Sequence, residues 1–218
     1  MKPLISVALV VALCSQGSRS IGIFDGQTDV GHVRHAGSAS YDRQRQEYTI
    51  SGSGQNMWGE RDDFHFVWTR LSGDFTLRAR AQFIGAGVEA HRKIGWTIRP
   101  SLATNGVHVT AARHGDGLMS LQYRRTIGGI TEELKSADSL PDGEALIQLE
   151  RRNGVYIMSV GKPGDSLTTT ELTGLMLPDT VYAGLFICAH NDSVVERAVF
   201  SDVSLQQSVH DDLMRKRR

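Results

Sequence analysis

Apolar and polar side chains alternate along most of this chain. In residues 75–84, Phe75, Leu77, Ala79, Ala81 and Phe83 interleave with Thr76, Arg78, Arg80 and Gln82. This period of two marks a strand with one buried face. Residues 64–71 read the same way, with Phe64, Phe66 and Trp68 on the face expected in the core and His65, Val67 and Thr69 on the other. Residues 93–99 place Ile94, Trp96 and Ile98 inward, and Pro100 ends that strand. Two turns predict hairpins, because Gly tolerates positive φ. His114-Gly115-Asp116-Gly117 joins 107–113 to 118–125, and Asn153-Gly154 joins 145–151 to 155–160. Strands are also expected at 38–42, 47–51, 130–135, 168–172, 181–189 and 194–205, behind an extended lead-in over 21–30 with a turn at Asp25-Gly26.

No stretch carries a sustained helical period, and no repeat of fixed length appears. Roughly twelve to fourteen strands at this spacing predict an all-β sandwich or barrel. Phe64, Phe66, Trp68, Phe75, Leu77, Ile94, Ile98, Leu149 and Phe200 are expected between its two sheets.

Composition narrows the function classes. The 218 residues carry 24 Lys and Arg against 24 Asp and Glu. A net charge of zero gives no general attraction to nucleic acid or to anionic membranes. Residues 1–20 read as a secretory signal: Lys2, an apolar segment over 4–13, then Ser18-Arg19-Ser20. The apolar segment is too short to span a bilayer, and no other segment could cross one. The expected product is an exported domain over 21–207, periplasmic or extracellular, with a solvated basic tail over 208–218. Cys14 offers a disfavoured lipoprotein alternative, since Leu13 stands where a lipobox wants a small residue. With Cys14 removed, Cys188 is alone in an apolar run and reads as a buried small hydrophobe.

The candidate chemistry gathers around residues 54–70, GQNMWGERDDFHFVWTR. Trp58 and the charged run Glu60-Arg61-Asp62-Asp63 sit beside a strand. Other strands present His65, Arg99, Gln122, Arg124 and His190 opposite their apolar faces, and His114 lies at a turn. On a curved sheet such a face forms a concave groove. Arg, Gln and carboxylates would bond sugar hydroxyls there, and an indole would stack on the ring. The plain alternative is the wet side of an antiparallel sheet. The carboxylates admit weak catalytic candidates, Glu60, Asp62 and His65, or a turn with a salt bridge to Arg61. The eight histidines fit no zinc motif. Loop oxygens of Asp25, Asp29 or Asp202 could hold a structural calcium, although no spaced Asp motif demands one. No phosphate loop and no Gly-x-Ser-x-Gly appear, so no cofactor is expected.

The segments GIFDGQTDVGHV, GSASYD, EYTISGSGQNMWG, DDFHFVW, HRKIGWTIRPSL, HGDGLMSLQYRR and GLFICAHN together resemble a bacterial concanavalin A-like domain. This is the lectin/glucanase-type jelly roll, in the version often fused behind TolB-like β-propellers of exported proteins. The resemblance covers nearly all of 22–205. It implies a jelly-roll sandwich of two antiparallel sheets and an exported location. Sandwich glucanases carry Glu-x-Asp-x-(x)-Glu on one strand. Glu60 and Asp62 match its first two positions, but Phe64 and His65 stand where the second Glu belongs.

The resulting expectation is a non-catalytic module for a carbohydrate or polyol polymer, with Trp58, Asp62, Asp63, His65, Arg99, His114, Gln122, Arg124 and His190 as ligand-binding candidates. Replacing Arg99 or Arg124 by Ala is expected to weaken binding while folding holds. The rivals are a divergent glycoside hydrolase or lyase, and a cell-envelope protein-interaction domain.

Overall fold

The computed structural model describes residues 20–207. Numbered in chain order, fourteen strands form two sheets of seven. The first runs β1 (Gly26–Val30), β4 (Phe64–Ser72), β13 (Thr180–Cys188), β6 (Lys93–Arg99), β7 (His108–His114), β8 (Leu118–Arg124) and β9 (Glu132–Ser139). The second runs β12 (Thr168–Leu172), β11 (Val155–Gly161), β10 (Ala145–Arg152), β5 (Phe75–Ile84), β14 (Glu196–Gln207), β3 (Glu47–Gly52) and β2 (Ser38–Asp42). All paired neighbours are antiparallel. The described residues contain no helix. The predicted β-sandwich is therefore the observed one, and it is a jelly roll. Asn153 (φ 49°) and Gly154 (φ 77°) make the β10–β11 turn with both central residues left-handed, as a two-residue hairpin requires.

Register shows which side chains share a face. Val67, Leu185, Trp96, Ala111 and Leu121 lie opposite one another across β4, β13, β6, β7 and β8. All five belong to the core between the sheets. Trp96 crosses that core, its indole N–H donating to Ile147 O of the second sheet at 3.2 Å. Phe75, Leu77, Ile94, Ile98, Leu149 and Phe200 lie in the same core, as expected.

The expected facing of β4 is reversed. Phe64 and Phe66 are fully buried, but in a second cluster with Val30, Met57, Ala112, Phe186 and Cys188 on the outer face of the first sheet. Trp68 is half-buried against that cluster. Val67 and Leu71 face the sandwich instead. Both faces of β4 carry large apolar residues, so alternation gives the period but not the phase. The aromatics belong outside because the chain covers that face. Gly95 (φ 146°) makes room there: a Cβ would collide with Ala111 O. Burying each phenylalanine contributes roughly 1.5–3 kcal/mol, so the covered outer face is a second source of stability.

His65 changes face with its strand. It is buried towards the second sheet, with its ring against Gly37 and its Cβ beside Gly52. Nδ1 lies 2.7 Å from Asp29 Oδ1 and Nε2 3.0 Å from Gln27 Oε1. It therefore does not join Arg99, Gln122 and Arg124. Burial lowers its pKa, with the Asp29 contact opposing.

Candidate functional site

The outer face of β6, β7 and β8 is set by the parity of their core residues. With Ile94, Trp96 and Ile98 inward, Lys93, Thr97 and Arg99 must point out. With Met119, Leu121 and Tyr123 inward, Ser120, Gln122 and Arg124 point out. Between them stand His108, Thr110 and His114 of β7. This face is polar, yet its side chains are buried: Arg99 and Arg124 are 0% exposed and Gln122 is 1% exposed. The loop of residues 53–63 roofs it.

Three anchors hold the roof. Met57 enters the apolar outer cluster. Gly59 O accepts from Arg124 Nη2 at 3.0 Å and from Thr131 N at 2.9 Å. Asp62, 0% exposed, accepts from Arg99 Nη2 at 3.1 Å and from Arg124 Nη1 and Nη2 at 2.9 and 2.7 Å. Backbone carbonyls add to this: Ser101 O and Ala103 O accept from Arg99, and Gly106 O from Arg124, while Arg99 Nη1 and Arg124 Nε have no partner. His108 Nε2 lies 4.0 Å from Asp62 Oδ1. Burial pushes its pKa down to about 4, with Asp62 opposing. Next to this latch, Asp63 accepts from the backbone N–H of His32 at 2.7 Å, while Glu60 is exposed.

Beyond the latch the roof leaves a cavity of about 350 Å³, within the size range of ligand pockets. Asn56 and Trp58 line it from the roof, and Trp58 is 42% exposed. Lys93, His114, Leu118, Gln122, Glu133 and Lys135 line it from β6 to β9, with His91 and His190 from adjoining loops. The His91 ring stands edge-on to His114 at 6.0 Å and to His190 at 5.6 Å between centroids. His190 holds φ at 57°, sparsely populated for a residue with a side chain.

The cavity contains buried polar atoms with nothing to bond inside the protein. Gln122 Oε1 and His114 Nδ1 have no partner. Lys93 is 1% exposed, and its three donors have one acceptor, His190 Nδ1 at 3.4 Å. Burial pushes the His114 pKa down to about 3, with Lys93 adding to it. Burial and then Lys93 lower His190, and burial lowers Lys93 itself. Buried polar groups are almost always satisfied in folded proteins. Two such atoms face this opening, and others lie at Arg99, His108 and Arg124 of the latch and at Trp68 and Arg113.

The sequence candidates thus divide four ways. Trp58, His114, Gln122 and His190 meet in the cavity. Asp62, Arg99 and Arg124 form the latch beside it, with Asp63 at the turn below. His65 is on the other face of the sheet, and Glu60 is out in solvent. Sequence reasoning passed over Lys93, Glu133, Lys135 and His91. Lys93 was detectable, because it occupies the outward parity of β6. Glu133 pairs with Gln122 in register, which only the structure supplies. Among the calcium candidates, Asp29 accepts from Gly37 N and contacts His65, Asp25 accepts from Thr69 Oγ1, and Asp202 pairs with Arg80. Among the described residues no three His, Cys, Asp or Glu side chains group as metal ligands. Cys14 and the 208–218 tail lie outside the described residues.

No family model and no curated protein matches the chain. Solved structures do. A Saccharomyces cerevisiae protein described as functionally unknown superposes with a TM-score of 0.62 at 16% identity, over 84% of this chain and 97% of that one. Family 7 alginate lyase A1-II′ gives 0.55 at 11% identity, over 78% and 83%. The carbohydrate-binding module CBM66 of Bacillus subtilis gives 0.53 at 15% identity, over 87% and 98%. The chain shares with them the concanavalin A-like jelly-roll fold.

Proposed function

We propose that the protein is an exported carbohydrate-binding module whose site is the cavity under the roof. One observation carries this reading: the unpartnered buried atoms His114 Nδ1 and Gln122 Oε1, with the buried Lys93 ammonium that meets only His190, open onto a space edged by the exposed Trp58 indole. Sugars need this combination, with fixed polar atoms for hydroxyls and an aromatic face for the ring. The fold neighbours, a carbohydrate-binding module and a polysaccharide lyase among them, are in keeping with it. Binding without hydrolysis follows from the carboxylates. Asp62 is committed to two arginines, Glu60 is exposed, and Glu133 is the one carboxylate residue lining the cavity among the described residues. Hydrolysis of a glycoside needs a facing pair.

A glycan array probed with the purified protein tests the reading. Selective retention of one glycan class is expected, and uniform failure to bind would end it. A lyase is the second reading, favoured by the buried Lys93 beside three histidines. An ultraviolet-absorbing unsaturated product from the bound glycan would establish it.

Export rests on the signal-like leader. Cleavage after residue 20 would keep the packed residues that follow it: Ile21 packs on the core, Ile23 N donates to Tyr48 Oη at 2.9 Å, and Phe24 is buried. N-terminal sequencing of the exported form is expected to begin near Ile21. A lipid-modified Cys14 there would contradict soluble release.

A further inference from the structure

We propose that the cavity selects a sugar residue bearing an anionic group, a carboxylate or a sulfate ester, with Lys93 as its counter-charge. This rests on the carbohydrate reading and names the ligand class.

Lys93 is buried at the edge of the cavity, and among the described residues no carboxylate makes an ion pair with its ammonium, although Glu133, Asp116 and Asp62 act on it from farther off. The carboxylate that lines the space, Glu133, is taken by Lys135 at 3.4 Å. A buried cation without a counter-charge is costly, and an anion entering the cavity removes that cost. A neutral sugar would leave it in place.

Hydrogen-bond polarity points the same way. Lys93 Nζ donates to His190 Nδ1, so His190 carries its proton on Nε2. Gln122 Nε2 donates to His114 Nε2, 3.2 Å away. With the Gln122 amide donating in this orientation, and Ser120 Oγ also 3.3 Å from Nε2, the His114 proton sits on the unpartnered Nδ1. The ammonium and two imidazole N–H groups are all donors, and the buried acceptor left over is Gln122 Oε1. A group that only accepts, carried on a ring whose neighbouring hydroxyl donates, complements this set. Carboxylate and sulfate are such groups, and charged hydrogen bonds are the strong ones.

Calorimetry with acidic polysaccharides tests the proposal, each compared with its own neutral form. One pair is a polyuronate and its carboxyl-reduced product; the other is a sulfated galactan and its desulfated product. The protein is expected to bind at least one acidic member about tenfold or more tightly than its neutral form. The pair that shows the difference tells carboxylate from sulfate. Lys93→Met should erase that preference, so that the acidic member binds no more tightly than its neutral form. Lys135→Ala, which removes a more exposed charge, should change it less. Equal affinity for acidic and neutral members overturns the inference and leaves the carbohydrate reading standing. So does a Lys93→Met protein that keeps the preference. Failure to bind any of the four polymers overturns both. The polymer comparison needs no variant, so it holds even if Lys93→Met misfolds.

Discussion

Asp62→Ala is expected to lower the unfolding free energy by roughly 3–5 kcal/mol, the usual cost of removing one partner from a buried ion pair. For a domain of this size that is a fall of roughly 6–20 °C in melting temperature. The carboxylate is 0% exposed and so are both guanidiniums it holds. Its loss leaves two buried cations side by side with backbone carbonyls as their main partners, and frees the roof from its central anchor. The same geometry revises the expectation that Arg99→Ala or Arg124→Ala leaves folding intact. Arg124 makes five side-chain hydrogen bonds under the roof, so its removal should destabilise on a similar scale. Thermal melts of the three variants check this. Replacing all three residues by apolar side chains should recover much of the loss, because the charges are then removed together. A drop below about 1 kcal/mol for Asp62→Ala would place the pair in solvent, where such bridges contribute little.

Acidification should destabilise the protein through its buried histidines. Burial holds His108 at about 4 and His114 at about 3, below the ordinary 6.5. As pH falls through 6.5, the unfolded chain takes up protons that the folded chain refuses. Stability is therefore full above about 6.5. It declines down to about 4 for His108 and about 3 for His114, and levels off below. The gap at His108 alone corresponds to roughly 3 kcal/mol. His65 and His190, both lowered by burial, act in the same direction. Denaturant unfolding at neutral pH and near pH 4 should show the loss, and His108→Gln should remove part of the slope. A flat profile across that window would contradict the burial of these rings.

Much of the fold was legible because alternation is strong where one face is wet or polar. In β5, β6 and β8 the apolar parity is clear, and the outward positions of Arg99 on β6 and of Gln122 and Arg124 on β8 followed from it. β4 was legible as a strand but not in phase. Phe64, Phe66 and Trp68 outweigh Val67 and Leu71 in size, yet both faces are apolar because both are covered. His65 was misplaced for the same reason. The covering was not legible at all. Asp62 meets Arg99 and Arg124 across 37 and 62 residues of chain, and no local pattern encodes such a meeting. The charged run read as a turn supplies Asp62, which is as fully buried as the two arginines it meets, while Glu60 and Arg61 stay exposed. Six of the cavity residues stand on strands and four on loops. His91 sits in a segment with no periodicity, so nothing in the sequence pointed it towards His114 and His190.

A crystal structure of the protein with the glycan retained on the array tests the central claim most directly. The account predicts one sugar residue seated under the roof. Its ring should lie against Trp58, with oxygen atoms within hydrogen-bond distance of Lys93 Nζ, His114 Nδ1 and Gln122 Oε1. A glycan bound elsewhere on the sandwich, with this cavity untouched and no new partner on those atoms, would contradict it.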